Sequence, residues 1–113
     1  MSDQFECRIS RHQISSGYLY VPRPVRYILP KGYDKTTILV VLDEEQEQIP
    51  LTYDPYNHLI WGLRNWHKSH GAAVGDFVII EALDQESNPP IYKLRFKKRT
   101  HTPSPPALSE RIF

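Results

Sequence analysis

Apolar and polar residues alternate in several short segments of the chain, which predicts a mainly β protein. Residues 5–9 alternate strictly between the two kinds of side chain, as a half-buried strand does. Six more short segments are rich in β-branched, aromatic or other apolar residues: 18–21, 36–42, 48–53, 59–63, 77–83 and 91–96. Short strands at near-regular spacing are typical of a small barrel or sandwich.

The segments between these strands carry turn and helix signals. Gly75 and Asp76 directly precede an apolar run, which predicts a tight turn that leads into a buried strand. Residues 64–70 predict a short helix that ends at Gly71. Residues 10–17 and 54–58 are polar or rich in turn residues and predict loops, and residues 25–29 predict a helical turn or a short strand.

Length and composition predict one domain over residues 1–99 and a disordered tail or linker over 100–113. The chain has 113 residues, and its last part carries Pro103, Pro105 and Pro106 with few residues that could pack. No apolar run approaches the roughly 20 residues that span a bilayer. The first residues lack the features of a signal peptide, so we expect an intracellular protein with no membrane partner.

Charge is balanced overall but unevenly distributed. The net charge is +1, with basic residues in the first quarter and around residues 93–99, and acidic residues at 43–47. If the two basic ends meet in the fold, they form one positive face. Charge alone favours the plainer interpretation that these are solvated charges at sheet edges.

The sequence shows no motif for catalysis or for a metal site. Acidic residues 43–47 are predicted at an exposed hairpin tip, which lacks the dry pocket of a catalytic carboxylate. His67 and His70 could share a helix face, but no third ligand is evident, so surface or partner-facing histidines are favoured. The single Cys7 excludes an internal disulfide. We therefore expect neither an enzyme nor a bound cofactor.

Aromatic residues admit two interpretations. They could form a stacking platform for single-stranded nucleic acid, but core packing is favoured. The residues concerned are Trp61, Trp66, Phe77, Tyr92 and Phe96.

The order of these segments resembles the B3-type DNA-binding domain, a pseudobarrel of about seven strands with one or two short helices. That family includes plant transcription factors and recognition or effector domains of some bacterial restriction endonucleases. The resemblance covers roughly residues 5–99. Its motifs are a strand that ends in Val21-Pro22-Arg23, the segment 28–30, the hairpin 38–51, the segment 63–76 with Trp66 and Gly75-Asp76, and two final strands. The hairpin tip departs from the family by being longer and acidic and by lacking Gly.

The resemblance implies sequence-specific binding of double-stranded DNA through two loops that enter the major groove. The first, here called the N-arm, is residues 10–17, and the second, the C-arm, is residues 54–58. The side chains of both loops suit base or phosphate contacts. The implied DNA-binding residues are Arg8, Arg11, His12, Gln13, Ser15, Ser16, Arg23, Arg26, Tyr56, Asn57, His58, Lys97, Lys98 and Arg99.

Two alternatives remain open at this point. The chain could be a protein-interaction module on a small β-barrel, with the tail as a docking element. It could also be a swapped-hairpin transcription regulator, which it resembles only around residues 21–51 and which would require an intertwined dimer. The B3 interpretation instead predicts a monomer, possibly fused to or associated with an effector domain.

Overall fold

The computed structural model describes residues 4–99, and the predicted disordered tail lies outside this range. The described part is mainly β, with seven strands, two α-helices and a 3-10 helix. The strands are β1 (Gln4–Arg8), β2 (Tyr18–Tyr20), β3 (Thr36–Leu42), β4 (Gln48–Asp54), β5 (Leu59–Trp61), β6 (Phe77–Asp84) and β7 (Ile91–Lys97). The helices are α1 (Arg11–Ser16), the 3-10 helix (Arg23–Ile28) and α2 (Arg64–Ser69). Within residues 4–99 no helix is both long and apolar enough to cross a membrane.

All seven strands join one sheet in the order β1-β6-β7-β3-β4-β5-β2. Every neighbouring pair is antiparallel except β3 and β7, which run parallel with Val40 opposite Tyr92. Strands β1 and β2 are therefore the two edges of the sheet. This mixed sheet confirms the predicted mainly β pseudobarrel, and all seven predicted strands are present within two residues of their predicted ends.

The core follows the alternation in the sequence. One face of each strand supplies side chains that are buried, among them Leu19, Ile38, Ile60, Val78 and Leu94 at 0% exposure. Trp66 and Tyr92 are also buried, which confirms their predicted packing role. Trp61 is only half-buried, because it flanks the inward-facing Ile60 in β5 and lies on the outer face. The prediction of a core position for Trp61 was therefore wrong.

The prediction of a loop over residues 10–17 was wrong, because most of this segment forms α1. The N–H of Ile14 donates to the carbonyl of Ser10, and the N–H of Gly17 donates to that of Gln13. Gly17 ends the helix with a φ of 80°. A Cβ there would lie 2.7 Å from the Cβ of Arg64, so only glycine fits. Six residues are too few for a helical period to stand out in the sequence.

Asp43, predicted on an exposed hairpin tip, is instead half-buried and bonded to distant elements. Its Oδ2 accepts from Trp66 Nε1 at 2.8 Å and from His70 Nε2 at 2.7 Å, and its Oδ1 accepts from the N–H of Phe96 at 3.0 Å. The ring of His70 also stacks on that of Phe96, with centroids 4.6 Å apart. This carboxylate links the β3–β4 turn to α2 and β7. The other acidic residues of the tip are exposed, as expected.

The predicted Gly75-Asp76 turn is confirmed, and it links three segments. Gly75 has a φ of 96°, and its N–H donates to the carbonyl of Ile9. The buried Asp76 carboxylate accepts from the backbone of Ala73 and Arg99 and from Lys98 Nζ. Burial alone would raise the pKa of Asp76, but these donors lower it below its ordinary value. The turn thus holds the end of β7 beside the start of the N-arm.

Candidate nucleic-acid interface

The two arms lie at opposite ends of a two-stranded ribbon formed by β2 and β5. The strands are antiparallel, with Tyr18 opposite Trp61 and Tyr20 opposite Leu59. At one end the carbonyl of Gly17 accepts from the N–H of Leu63, and at the other the N–H of Val21 donates to the carbonyl of His58. The four residue steps from Gly17 to Val21 span roughly 13 Å of extended chain. The major groove of B-DNA is about 12 Å wide.

The N-arm presents most of its predicted contact residues to solvent. Arg11, His12 and Ser15 are exposed on α1, and Ser16 is half-buried. The side chain of Arg11 makes no hydrogen bond or ion pair with any other residue in the range 4–99. The arm therefore offers a free guanidinium and an imidazole beside one end of the ribbon.

Gln13 is the exception in the N-arm, because its side chain is buried. Its Oε1 accepts from the backbone N–H of Tyr20 at 2.9 Å, and its Nε2 lies 3.5 Å from Ser10 Oγ. This bond satisfies a donor on edge strand β2 and fastens α1 to the ribbon. The structure thus gives Gln13 a positioning role in the arm, and the role of base reader predicted for it stays a prediction.

The C-arm is held rigid by Asp54. Its Oδ1 accepts from the backbone N–H of Tyr56 and of Asn57, and its Oδ2 accepts from Asn57 Nδ2 at 2.8 Å. The bond from the Asn57 side chain is the largest cause that lowers the pKa of Asp54, so the loop carries a stable carboxylate. Tyr56, at 69% exposure, projects from this frame into solvent.

His58 ends the C-arm in a left-handed conformation with a φ of 62°. Its side chain is half-buried, and its Nδ1 has no hydrogen-bond partner among the described residues. Burial lowers the pKa of His58, and the positive charges of Arg26 and Arg23 lower it further against an opposing effect of Asp54. A neutral imidazole is therefore expected there at neutral pH.

Positive charge surrounds the C-arm. Arg23 is exposed and forms no ion pair within the described chain, whereas Arg26 donates to the carbonyl of Val21 and to the hydroxyl of Tyr20. Lys31 and Arg26 line an open pocket of about 170 Å³ beside His58. The ring of Tyr33 lies 6.5 Å from that of Tyr56. The surface combines cations with exposed aromatic rings.

The predicted basic residues at the end of β7 lie on the N-arm side and are partly neutralised. Lys97 Nζ pairs with Glu6 at 2.7 Å, and Lys98 Nζ pairs with Asp76 at 3.1 Å. The guanidinium of Arg8 lies over the ring of Phe77, 5.5 Å from its centroid. Arg99 is exposed next to Gly75. Because exposed pairs such as Lys97–Glu6 are weak, Lys97 remains available to an anionic partner, whereas Lys98 is bonded to the buried carboxylate of Asp76.

Several residues around the arms carry no local sequence signal for their position. Lys31, Tyr33 and Lys35 were not among the predicted DNA-binding residues, although they adjoin the C-arm in space. Lys35 acts electrostatically on Asp54, and the contact of Tyr33 with Tyr56 joins two segments 23 residues apart. Proximity of this kind leaves no local pattern, but the density of Lys, Arg and Tyr over residues 23–35 was a usable signal.

The described chain shows no site for a metal ion. Residues 4–99 contain no group of three or more His, Cys, Asp or Glu side chains placed to hold one. His67 is fully buried, so its predicted surface position was wrong, and its Nε2 donates to the carbonyl of Tyr18 at 3.1 Å. Burial raises the pKa of Cys7 to about 12, which makes its thiol unreactive.

Comparison with solved structures supports the fold. The chain superposes on a protein chain of the Arabidopsis FUS3–DNA complex with a TM-score of 0.65 and 13% sequence identity. The match covers 85% of this chain and 97% of that one. No family model and no curated protein sequence matches. The similarity in structure, together with the strand order, establishes a B3-like pseudobarrel fold.

Proposed function

We propose that this domain binds double-stranded DNA in a sequence-specific manner, with the N-arm and the C-arm entering one major groove. The observation that carries the proposal is the placement of two polar, cation-bearing arms at the two ends of one short ribbon. Their separation of roughly 13 Å along the strand fits a groove about 12 Å wide. The structural neighbour was solved with DNA, which supports the same conclusion.

The proposed roles follow from exposure and hydrogen bonding. Arg11, His12 and Tyr56 are exposed and are assigned to base edges, with Asn57 and His58 beside them. Ser15, Ser16 and the cations on both sides of the ribbon are assigned to phosphates, which position a duplex without reading it. Gln13 is assigned to holding α1 on the ribbon. The basic residues assigned to phosphate contacts are Arg8, Arg23, Arg26, Lys97, Lys98 and Arg99.

A selection from a pool of random duplexes with the full chain tests the function directly. We expect enrichment of a short common sequence, with affinity that falls steeply as salt rises because bound counterions are released. Failure to enrich any sequence, together with unchanged amide signals of both arms on addition of duplex DNA at low salt, would disprove the proposal.

Two substitutions separate reading from positioning. Arg11→Ala should cost about 1–3 kcal/mol on the selected site and relax its specificity, because a bidentate contact to a base is lost. Lys97→Ala should weaken binding of selected and random duplexes alike. It should also reduce the slope of log K against log salt concentration by about one. Equal effects of Arg11→Ala on both duplexes would instead assign Arg11 to a phosphate.

The oligomeric state of the domain, its cellular location and the role of residues 100–113 are also matters of proposal. We propose that the domain acts as an intracellular monomer and serves an associated or fused effector. Removal of residues 100–113 should leave DNA binding intact, whereas a protein-interaction module that docks through this segment would lose its partner. A dimeric mass by light scattering would contradict the proposed monomer.

A further inference from the structure

The floor between the two arms differs in chemistry from the arms. It is the outer face of the β2–β5 ribbon and consists of Tyr18, Tyr20, Leu59 and Trp61, hereafter the aromatic floor. The intervening Leu19 and Ile60 point inward and are fully buried, so these four side chains must point outward. Neither strand contains a charged residue.

The aromatic floor is ordered by contacts among its own rings and with the arms. The rings of Tyr18 and Trp61 lie 5.0 Å apart, and the ring of His12 in the N-arm lies 6.0 Å from that of Tyr18. On the other side the guanidinium of Arg26 lies over the ring of Tyr20 and donates to its hydroxyl at 2.6 Å. The floor is therefore a fixed surface between two groups of cations.

This distribution of charge restricts how a duplex can lie on the floor. Phosphates would bind the cations on both sides of the ribbon, namely Arg8 and Lys97 on the N-arm side and Arg23 and Arg26 on the C-arm side. The uncharged ribbon then faces the base edges in the groove, which is wide enough to admit a two-stranded β-ribbon. The floor offers mainly carbon atoms to a base. Its polar atoms are the Tyr18 hydroxyl, the Trp61 indole N–H and the Tyr20 hydroxyl, which already accepts from Arg26.

In the major groove the C5-methyl of a pyrimidine is the one methyl group that a base pair offers, and apart from small C–H groups the other exposed atoms donate or accept hydrogen bonds. A donor or acceptor pressed against a ring would lose its water without a partner, whereas a methyl group gains by burial. We propose that the aromatic floor recognises pyrimidine C5-methyl groups at the centre of the bound site, as thymine or as 5-methylcytosine. This inference rests on the proposed DNA binding and names the chemistry read between the arms.

The experiment compares duplexes that differ only in this methyl group. Each thymine of the selected site is replaced in turn by deoxyuridine, and each cytosine by 5-methylcytosine, and affinities for the full chain are measured. Loss of one contacted methyl should weaken binding about fourfold, as expected for burial of one CH₂-sized group. The deoxyuridine series reports contacts to thymine, and the 5-methylcytosine series reports contacts to methylated cytosine.

Substitutions in the aromatic floor test whether the methyl-dependent difference in affinity arises there. Trp61→Thr removes the ring, places a residue with high strand propensity in β5 and should make duplexes with and without the methyl group bind alike. Tyr18→Thr is the second variant if the first does not fold. Tyr27→Thr is the matched control, because Tyr27 is an exposed tyrosine on the 3-10 helix that packs against Phe5 away from the floor. In Tyr27→Thr, the ratio of the affinities for duplexes with and without the methyl group should equal that of the wild type.

The outcomes distinguish this inference from the function on which it rests. A central methyl effect that disappears in the floor variants supports it. Specific binding with no methyl effect at any central position overturns the inference and leaves the two-arm function intact. A methyl effect that survives both floor variants assigns the contact to the arms and also overturns it. Absence of any duplex binding rejects the proposed function, and the inference with it.

Discussion

Two turns of the molecule, β3–β4 and β4–β5, are built from similar parts but do different work. Each contains an aspartate with a lowered pKa and a residue other than glycine with a left-handed backbone, Asp43 at a φ of 55° and His58 at 62°. The carboxylate of Asp43 reaches away from its turn to α2 and β7. Among residues 4–99, the carboxylate of Asp54 accepts only from donors within its own loop.

The difference lies in where the donors come from. Because Asp43 is bonded to residues 23, 27 and 53 positions away, its turn is part of the closure of the barrel. Because Asp54 is bonded to residues two and three positions away, it shapes a loop whose other side chains stay outside. The same carboxylate chemistry therefore braces the fold in one turn and presents a candidate contact surface in the other.

Replacing Asp43 should have the largest effect on stability. Asp43→Ala leaves the Trp66 indole, the His70 imidazole and the Phe96 N–H without their acceptor in a half-buried site. We expect a loss of about 3 kcal/mol in the free energy of unfolding, measured by urea denaturation. Glu44→Ala is the matched control at the same tip, because its carboxylate is exposed and its pair with Lys93 is long at 3.9 Å. It should change stability by less than about 0.5 kcal/mol. Equal effects of the two substitutions would contradict the bracing role.

Replacing Asp54 should affect binding more than folding. Asp54→Ala removes the acceptor for Tyr56 and Asn57, so the C-arm gains freedom that binding must then remove. We expect about a tenfold loss of affinity for the selected duplex, with a shift in melting temperature less than half of that in Asp43→Ala. Asp54→Asn keeps the acceptor oxygen and should retain most of the affinity. A fully unfolded Asp54→Ala protein would show that both turns brace the barrel.

The sequence predicted the strands and the turn chemistry but could not assign these two aspartates to their roles. Strand alternation and the Gly75-Asp76 signal are local, so they were readable, and all seven strands were found. The bonds of Asp43 depend on Trp66, His70 and Phe96 arriving from distant elements, and no local pattern records that. The burial of Gln13 was hidden for a different reason, because α1 is too short to show a helical period and the Tyr20 N–H that donates to Gln13 lies in the next element, β2.

Removal of one exposed side chain from each turn should change the affinity for DNA in the β4–β5 turn and leave it nearly unchanged in the β3–β4 turn. Tyr56→Ala should weaken binding of the selected duplex several-fold, because it removes an exposed ring from the C-arm without breaking the bonds of Asp54. Glu45→Ala, at the tip of β3–β4, should leave affinity unchanged or slightly increase it through reduced repulsion of phosphates. Fluorescence anisotropy measures both. A larger loss in Glu45→Ala would move the contact surface to the other hairpin.

Lowering the pH should have the smallest effect on stability, and it should distinguish the two turns by the protonation of their aspartates. The pKa of Asp43 is lowered because its three hydrogen bonds outweigh the effect of burial, and that of Asp54 is lowered chiefly by the Asn57 side chain. A carboxyl whose pKa is depressed by folding stabilises the protein above its ordinary value of 3.8, and this contribution is lost as the pH falls through the lower, folded value. Stability should therefore decline below about pH 4 in the wild type and decline less steeply in Asp43→Asn.

NMR titration between pH 6 and pH 2.5 assigns each transition to its turn. The Trp66 indole N–H and the Phe96 amide should report protonation of Asp43, and the Tyr56 amide should report that of Asp54. We expect the Asp43 transition to extend to signals of α2 and β7, because its donors belong to these two elements. The Asp54 transition should remain confined to residues 54–58, because its donors do. Simultaneous transitions at all three probes would show one cooperative unit, and the division between bracing and presenting turns would then be wrong.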